Sequence, residues 1–186
     1  MNLLLKTAKA LQEYCDEQNW RMCFIGGVAI QRWGEPRVTR DVDITLLTGF
    51  GHEEQFISRL MERFHPRRAD AAEFALRSRV LLLVGEGGVG IDVSMGALPF
   101  EQSAVERATY YSFAQGYKLR TCSAEDLIVM KLFASRPHDI RDAEGIAVKQ
   151  ATKIDWGYVE AQLTPLVELK EEPEILDTLR RIRNLV

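Results

Sequence analysis

The sequence predicts an α+β protein, with a strand-rich part over about residues 1–121 and a helical part over about residues 122–186. Two observations carry this. Short β-branched or alternating stretches recur between residues 22 and 121. From Ser123 onward only helical spacing remains, punctuated by Pro137, Gly157, Pro165 and Pro173. No repeat, low-complexity tract or Pro/Gly/Ser linker divides the 186 residues, and a chain of this size buries enough surface to fold without disulfides.

In chain order, Leu4, Ala8, Leu11 and Cys15 fall at helical spacing and predict an amphipathic helix over 2–18. Met22 to Ile25 reads as a short apolar strand ending at Gly26-Gly27. A brief helix from Val28 to about Trp33 should follow, stopped by Gly34 and Pro36. Asp41 to Leu47 alternates polar and apolar residues, the pattern of a half-buried strand. His52 to Phe64 carries Phe56, Ile57, Leu60, Met61 and Phe64 on one helical stripe. Val80–Val84 and Ile91–Ser94 read as strands joined by a glycine-rich turn. A short helix after Pro99 and one or two strands around Thr109–Arg120 complete the first part. Ser123, with Asp126 three residues on, is the N-cap that opens the helical part.

Composition excludes several functions. The chain is 46% hydrophobic and 27% charged with a net charge of −3, so no global basic field marks a nucleic-acid binder. The longest aliphatic run, Val80 to Val84, is far below a membrane span. Met1 to Lys6 turns polar before an apolar leader core develops, and the three scattered cysteines (Cys15, Cys23, Cys122) read as reduced thiols. Together these predict a cytoplasmic protein without a membrane partner.

Gly85-Glu86-Gly87-Gly88-Val89-Gly90 matches the G-x-G-x-x-G dinucleotide string. That fingerprint works only where the turn opens a helix that receives the pyrophosphate. Here Ile91-Asp92-Val93 follows, β-branched and alternating, so the loop should return into a second strand and a nicotinamide enzyme is disfavoured.

The chemistry lies elsewhere. Asp41 and Asp43 are two apart, so on a strand both carboxylates leave one face while Val42 and Ile44 enter the core. Asp92, between Ile91 and Val93, has the same design. If its strand lies beside the first, three anions converge, an arrangement that persists mainly when cations sit among them. Hard oxygen donors without a Cys/His set point to Mg²⁺ or Mn²⁺. Two such ions suit phosphoryl transfer. Gly26-Gly27 fits the same picture, with backbone N–H groups able to approach phosphate oxygens at a helix start. Asp41 and Asp43 as a solvated strand face, and Gly-Gly as an ordinary turn, remain the plain alternatives.

Gly26-Gly27 followed by Thr39-Arg40-Asp41-Val42-Asp43 resembles the signature of the nucleotidyltransferase superfamily that includes DNA polymerase beta. Asp126 to Arg136, with Asp139 and Arg141-Asp142 after it, is similar to the AbiEii-type nucleotidyltransferases, among them toxins of toxin–antitoxin and phage-defence systems. The resemblance spans about residues 20–145. It implies a mixed sheet of nucleotidyltransferase type with a C-terminal helical part that completes the nucleotide site. It makes Asp41, Asp43 and Asp92 the catalytic metal ligands, with Asp92 also helping to deprotonate the acceptor. Gly26, Gly27, Thr39, Arg40, Lys131, Asp139 and Asp142 become nucleotide-binding positions, Lys131 pairing with phosphates and the two acids orienting it or meeting the nucleotide. Many members carry Gly-Ser where this chain has Gly26-Gly27, so one hydroxyl contact is missing.

The implied reaction is Mg²⁺-dependent transfer of an NMP unit from an NTP (ATP among them) to a hydroxyl. The resemblance adds an RNA acceptor, particularly a tRNA 3′ end, a toxin role and a cognate antitoxin. A protein side chain or a small molecule such as an aminoglycoside is the alternative acceptor, and a catalytically silent binding protein the alternative class. Arg59, Arg63, Arg67 and Arg68, then Arg77 and Arg79, form a local basic cluster that either steers a polyanion or is simply solvated; Arg32, Arg37 and Arg40 flank the acids.

Overall fold

A computed structural model describes residues 2–114 and 116–186. The reading of the first residues against a leader includes Met1, and that of a strand over Thr109–Arg120 includes Gln115; both positions lie outside the described residues. The chain forms two compact units: the chain up to Val28 with Val38–Cys122, and Ala29–Arg37 with Ser123–Val186.

The first unit is built on one sheet. Its strands are β1 (Met22–Phe24), β2 (Asp41–Leu47), β3 (His65–Pro66), β4 (Val80–Val84), β5 (Gly90–Gly96), β6 (Thr109–Ala114) and β7 (Tyr117–Thr121). They lie in the order β3-β4-β5-β2-β1-β7-β6. The sheet is mixed: β2 runs parallel to β5 and β1 to β7, while the other neighbours are antiparallel. The glycine-rich segment is a hairpin turn between antiparallel β4 and β5, with Gly87 and Gly88 at positive φ, so no helix N-terminus follows it.

Side-chain alternation divides the sheet into a core face and a working face. Val42, Ile44 and Leu46 of β2, Ile91, Val93 and Met95 of β5, and Leu81 and Leu83 of β4 are all buried in one apolar cluster. Helix α1 (Asn2–Glu17) contributes Leu4, Leu5, Ala8, Leu11 and Cys15 to it. Ile57 and Leu60 come from α3 (Glu53–Arg63), and Ala71 and Ala75 from α4 (Ala71–Ser78), a helix the sequence pattern did not disclose. Helix α5 (Pro99–Arg107) packs against β1 and β2 and buries Phe100, Ala104 and Val105. Its N-terminus is closed by Glu101, which accepts from the N–H groups of Ala97 at 2.8 Å and Leu98 at 2.9 Å. All three cysteines are buried and none is joined in a disulfide. Burial first, then the charge of Asp16, pushes the Cys15 thiol up to about 12, so it behaves as a small apolar side chain.

Helix α2 (Gly26–Trp33) begins at Gly26, two residues earlier than the spacing suggested, and Gly26 makes the turn out of β1 at a φ of +53° that suits glycine.

The second unit is helical: α6 (Ala124–Ala134), α7 (Pro137–Gln150), α8 (Trp156–Lys170) and α9 (Glu174–Arg183) pack on one another. Ser123 caps α6 as expected, accepting from the Asp126 N–H at 3.1 Å. Gly157 and Pro165 lie inside α8 and do not break it. Pro165 forgoes the hydrogen bond to the Ala161 carbonyl and crowds it, and the buried residues Val159, Leu163, Leu166 and Val167 offset that cost by packing on both sides of it. The segment Ala29–Arg37 is fastened to α7, with Lys149 donating to the Gly34 carbonyl and Gln150 to that of Trp33, both at 2.8 Å. No helix among the described residues is long and apolar enough to cross a membrane.

Replacing fully buried Leu81 by Ala should cost about 2–5 kcal/mol of stability. The same change at exposed Leu169 should stay within about 0.5 kcal/mol, read by urea titration of both variants.

Candidate active site

The parallel register of β2 and β5 sets the site. Asp43 lies opposite Asp92 and Asp41 opposite Gly90, so all three acids are on the working face, away from the apolar cluster. The sheet pattern thus brings together the three residues that the sequence singled out.

A fourth side chain joins them. Just past β3, the Arg67 N–H donates to the Leu82 carbonyl at 2.9 Å, anchoring its backbone on β4. Its guanidinium reaches over β4 to β5 and β2, donating to Asp92 Oδ1 and lying 3.7 Å from Asp41 Oδ1. The sequence showed Arg67 only as one arginine in a basic cluster; its place beside the acids depends on strand pairing. Asp92 is held above the usual aspartate range, chiefly by burial; the charge and hydrogen bond of Arg67 pull it down, and the charge of Asp41 pushes it up again.

Glycines make the close approaches. A Cβ on Gly90 would stand 2.1 Å from Asp41 Oδ1 and 2.8 Å from the Arg67 guanidinium, and one on Gly26 would stand 2.2 Å from Asp43 Oδ2. The Gly27 N–H donates to Asp43 Oδ2 at 3.4 Å, so the first turn of α2 is turned toward an anion. A Cβ on Gly27 would lie 2.3 Å from Thr39 Oγ1, so the Thr39 side chain occupies the space a residue-27 side chain would need. That hydroxyl donates to the Asp41 carbonyl at 3.2 Å, steadying the entry to β2, where Arg40 is exposed.

Among the described residues no three His, Cys, Asp or Glu side chains are gathered closely enough to hold a metal ion as they stand. The donor set nonetheless fits a divalent cation. Three hard carboxylates share one face of two adjacent strands, glycines at 26 and 90 leave room beside them, and a guanidinium already lies between Asp41 and Asp92 as a cationic stand-in.

Lys131, Asp139 and Asp142 form a separate cluster within the helical unit. The Lys131 ammonium lies 2.7 Å from Asp139 Oδ1 and 2.8 Å from Asp142 Oδ2 and is nearly buried. Asp142 also accepts from Arg37 Nε at 3.0 Å and Nη2 at 2.9 Å, and Asp139 accepts from Arg136. Both acids thus contact the lysine, and Asp142 is shared between Lys131 and Arg37. Burial raises both carboxyls, but hydrogen bonds and charge from Lys131, with Arg136 for Asp139 and Arg37 for Asp142, outweigh it and hold both below the ordinary value. Arg37, His138 and Arg141 line a cavity of about 320 Å³ beside this network.

A mixed sheet carrying acids on two adjacent parallel strands, beside a glycine-started helix, is the fold of a nucleotidyltransferase. The chain belongs to the family described as nucleotidyltransferase of unknown function (DUF6036), which matches residues 2–180. Among solved structures it is similar to an antigenic nucleotidyltransferase-like protein from Paracoccidioides brasiliensis, with 18% identity, 96% of this chain and 93% of that one covered, and a TM-score of 0.53. It is also similar to the antibiotic-resistance factor ANT(2'')-Ia, with 16% identity, 91% and 94% covered, and a TM-score of 0.55. The same enzyme in complex with adenylyl-2''-tobramycin gives 16% identity, 89% and 98% covered, and a TM-score of 0.54. No curated protein matches the sequence.

Gly27→Ala should lower the thermal midpoint by forcing Thr39 aside, and Thr39→Ala in the same chain should restore most of it; strictly additive losses would refute the packing. Lys131→Ala should cost about 3–5 kcal/mol, since it leaves two nearly buried carboxylates without their shared cation. Because the folded-state pKa values of Asp139 and Asp142 are depressed, their contribution is complete above the unfolded value (~3.9) and lost as pH falls below it. Acid titration followed by circular dichroism should show that loss below about pH 4, and Asp139→Asn should flatten it.

Proposed function

We propose that this nucleotidyltransferase transfers an NMP unit from an NTP to a hydroxyl acceptor and releases pyrophosphate, with Mg²⁺ or Mn²⁺ held by Asp41, Asp43 and Asp92. The observation that carries the reading is the placing of these acids on one face of β2 and β5, next to the start of α2. When bound, the divalent ion would supply positive charge for the triphosphate and the departing pyrophosphate. The chain's own groups do the rest. The N-terminal turn of α2, free of side chains at Gly26 and Gly27, favours a phosphate by its dipole and amides. Asp92, with its carboxyl pushed upward by burial, suits acceptance of a proton from the acceptor hydroxyl. That oxygen then forms a bond to the α-phosphorus, and the bond to the β-phosphate bridging oxygen breaks, its electron pair leaving with pyrophosphate.

For the acceptor, a small hydroxylated molecule is favoured over RNA by the fate of the arginine cluster. Arg67 is paired with Asp92, Arg68 with Asp70 and Arg79 with Glu53, so the charge of these three is met within the protein, while Arg59 hydrogen-bonds neutral Gln18. Adenylyl transfer to an aminoglycoside, of the kind ANT(2'')-Ia's complex displays, is one chemistry this fold accommodates. The second reading is an RNA 3′ end, with the toxin role and antitoxin partner of the AbiEii type. Exposed Tyr110 and Tyr111 on β6, with Lys118 beside Tyr110, speak for it as stacking surfaces. Either acceptor is compatible with a cytoplasmic site of action.

Incubation with α-labelled NTPs, Mg²⁺, total RNA and a panel of hydroxylated antibiotics should move label to one acceptor class. Asp41→Ala and Asp92→Asn should each lose at least about a hundredfold in rate. Equal labelling by wild type and Asp41→Ala would sink the assigned mechanism.

A further inference from the structure

We infer that Arg67 is an internal counter-ion that occupies the divalent-cation position between Asp41 and Asp92 and must leave it before the metal can bind. The inference rests on the metal reading above and deepens it. Two aspartate carboxylates, one from each of two adjacent strands, meet a single guanidinium: Asp92 Oδ1 accepts from it and Asp41 Oδ1 lies 3.7 Å away. Gly90, opposite Asp41, leaves the space in which this happens, since a Cβ there would stand 2.8 Å from the guanidinium and 2.1 Å from the carboxylate. A divalent ion takes carboxylate oxygens at about 2.0–2.6 Å, so an ion shared by these two acids needs the volume the guanidinium fills. Arginine does not lose its proton at any pH the protein meets, so it cannot yield by neutralising; it has to move. Its side chain is one-third exposed, and its backbone is anchored independently of the guanidinium, through the N–H to Leu82. The head can swing outward on its stem without disturbing the sheet.

The exchange has a chemical logic. Strand register sets Asp41 and Asp92 near each other, and Arg67 offsets their repulsion while no metal is present. It brings one charge where the ion brings two, so a divalent ion displaces it, whereas a monovalent cation gains little. The Asp41–Asp92 pair is thereby charge-compensated when empty and selective for divalent charge when filled.

The test is direct binding of Mn²⁺ to the full chain without nucleotide, by electron paramagnetic resonance or calorimetry. Arg67→Gln should bind about tenfold more tightly than wild type, the value of one charge-assisted hydrogen bond. Arg68→Gln, which removes the same charge from a neighbour bound to Asp70, should stay within about twofold, separating direct competition from the general field. A second readout is the Arg67 Nε–H resonance, which should shift and exchange faster with solvent when wild type is saturated with Mg²⁺. Equal Mn²⁺ affinity in wild type and Arg67→Gln, or an Arg67 resonance unmoved by Mg²⁺, would overturn the exchange and leave the metal site standing. Absence of Mn²⁺ binding in both folded proteins would overturn the metal reading, and the exchange with it.

Discussion

The structure of the site depends on one constraint, the parallel register between β2 and β5. A parallel pair places like positions side by side on the same face, so aligning Val42 with Ile91 and Ile44 with Val93 for the core necessarily aligns Asp43 with Asp92 for the site. A slip of one residue would send the acids into the apolar cluster and the aliphatic residues into solvent. The energy that holds the carboxylates together is therefore the hydrophobic burial on the opposite face, and no interaction among the acids themselves is attractive. Arg67 and the N-terminal turn of α2 lower the remaining electrostatic cost.

The two units use charge in opposite ways. Around Asp41, Asp43 and Asp92 the balance is negative and open, with carboxylates that a cation can still approach. Around Lys131 the balance is closed: Asp139 and Asp142 face Lys131, Arg136 and Arg37, and the depressed carboxyl values record how well they are matched. The first pattern suits exchange of ligands, the second suits holding α6, α7 and the Arg37 segment in register.

Much of this was legible in the sequence because it follows from local alternation. The spacing of Asp41 and Asp43, the apolar flanks of Asp92, and the β-branched residues after Gly90 each announce a strand and its face within a few positions. What escaped has two causes, a faint local pattern and distance along the chain. Helix α4 buries only alanines, Ala71 and Ala75, and an alanine stripe gives a faint periodic signal. Arg67 reaches its partner across a separation of 25 residues, through the pairing of β3, β4 and β5, which no short window contains. The attachment of Ala29–Arg37 to the helices after Ser123 is equally remote in sequence, with Lys149 meeting Gly34 over a separation of 115 residues.

Gly27 and Thr39 occupy one volume between them. A larger residue at the first position demands a smaller one at the second, and a change at either alone passes through an unfit intermediate. Descendants of this chain should therefore inherit the pair as a linked character. Relatives with a side chain at the helix start are expected to have surrendered the bulk of the threonine, and correlated substitution at these positions would record which lineage filled the shared space from which strand end.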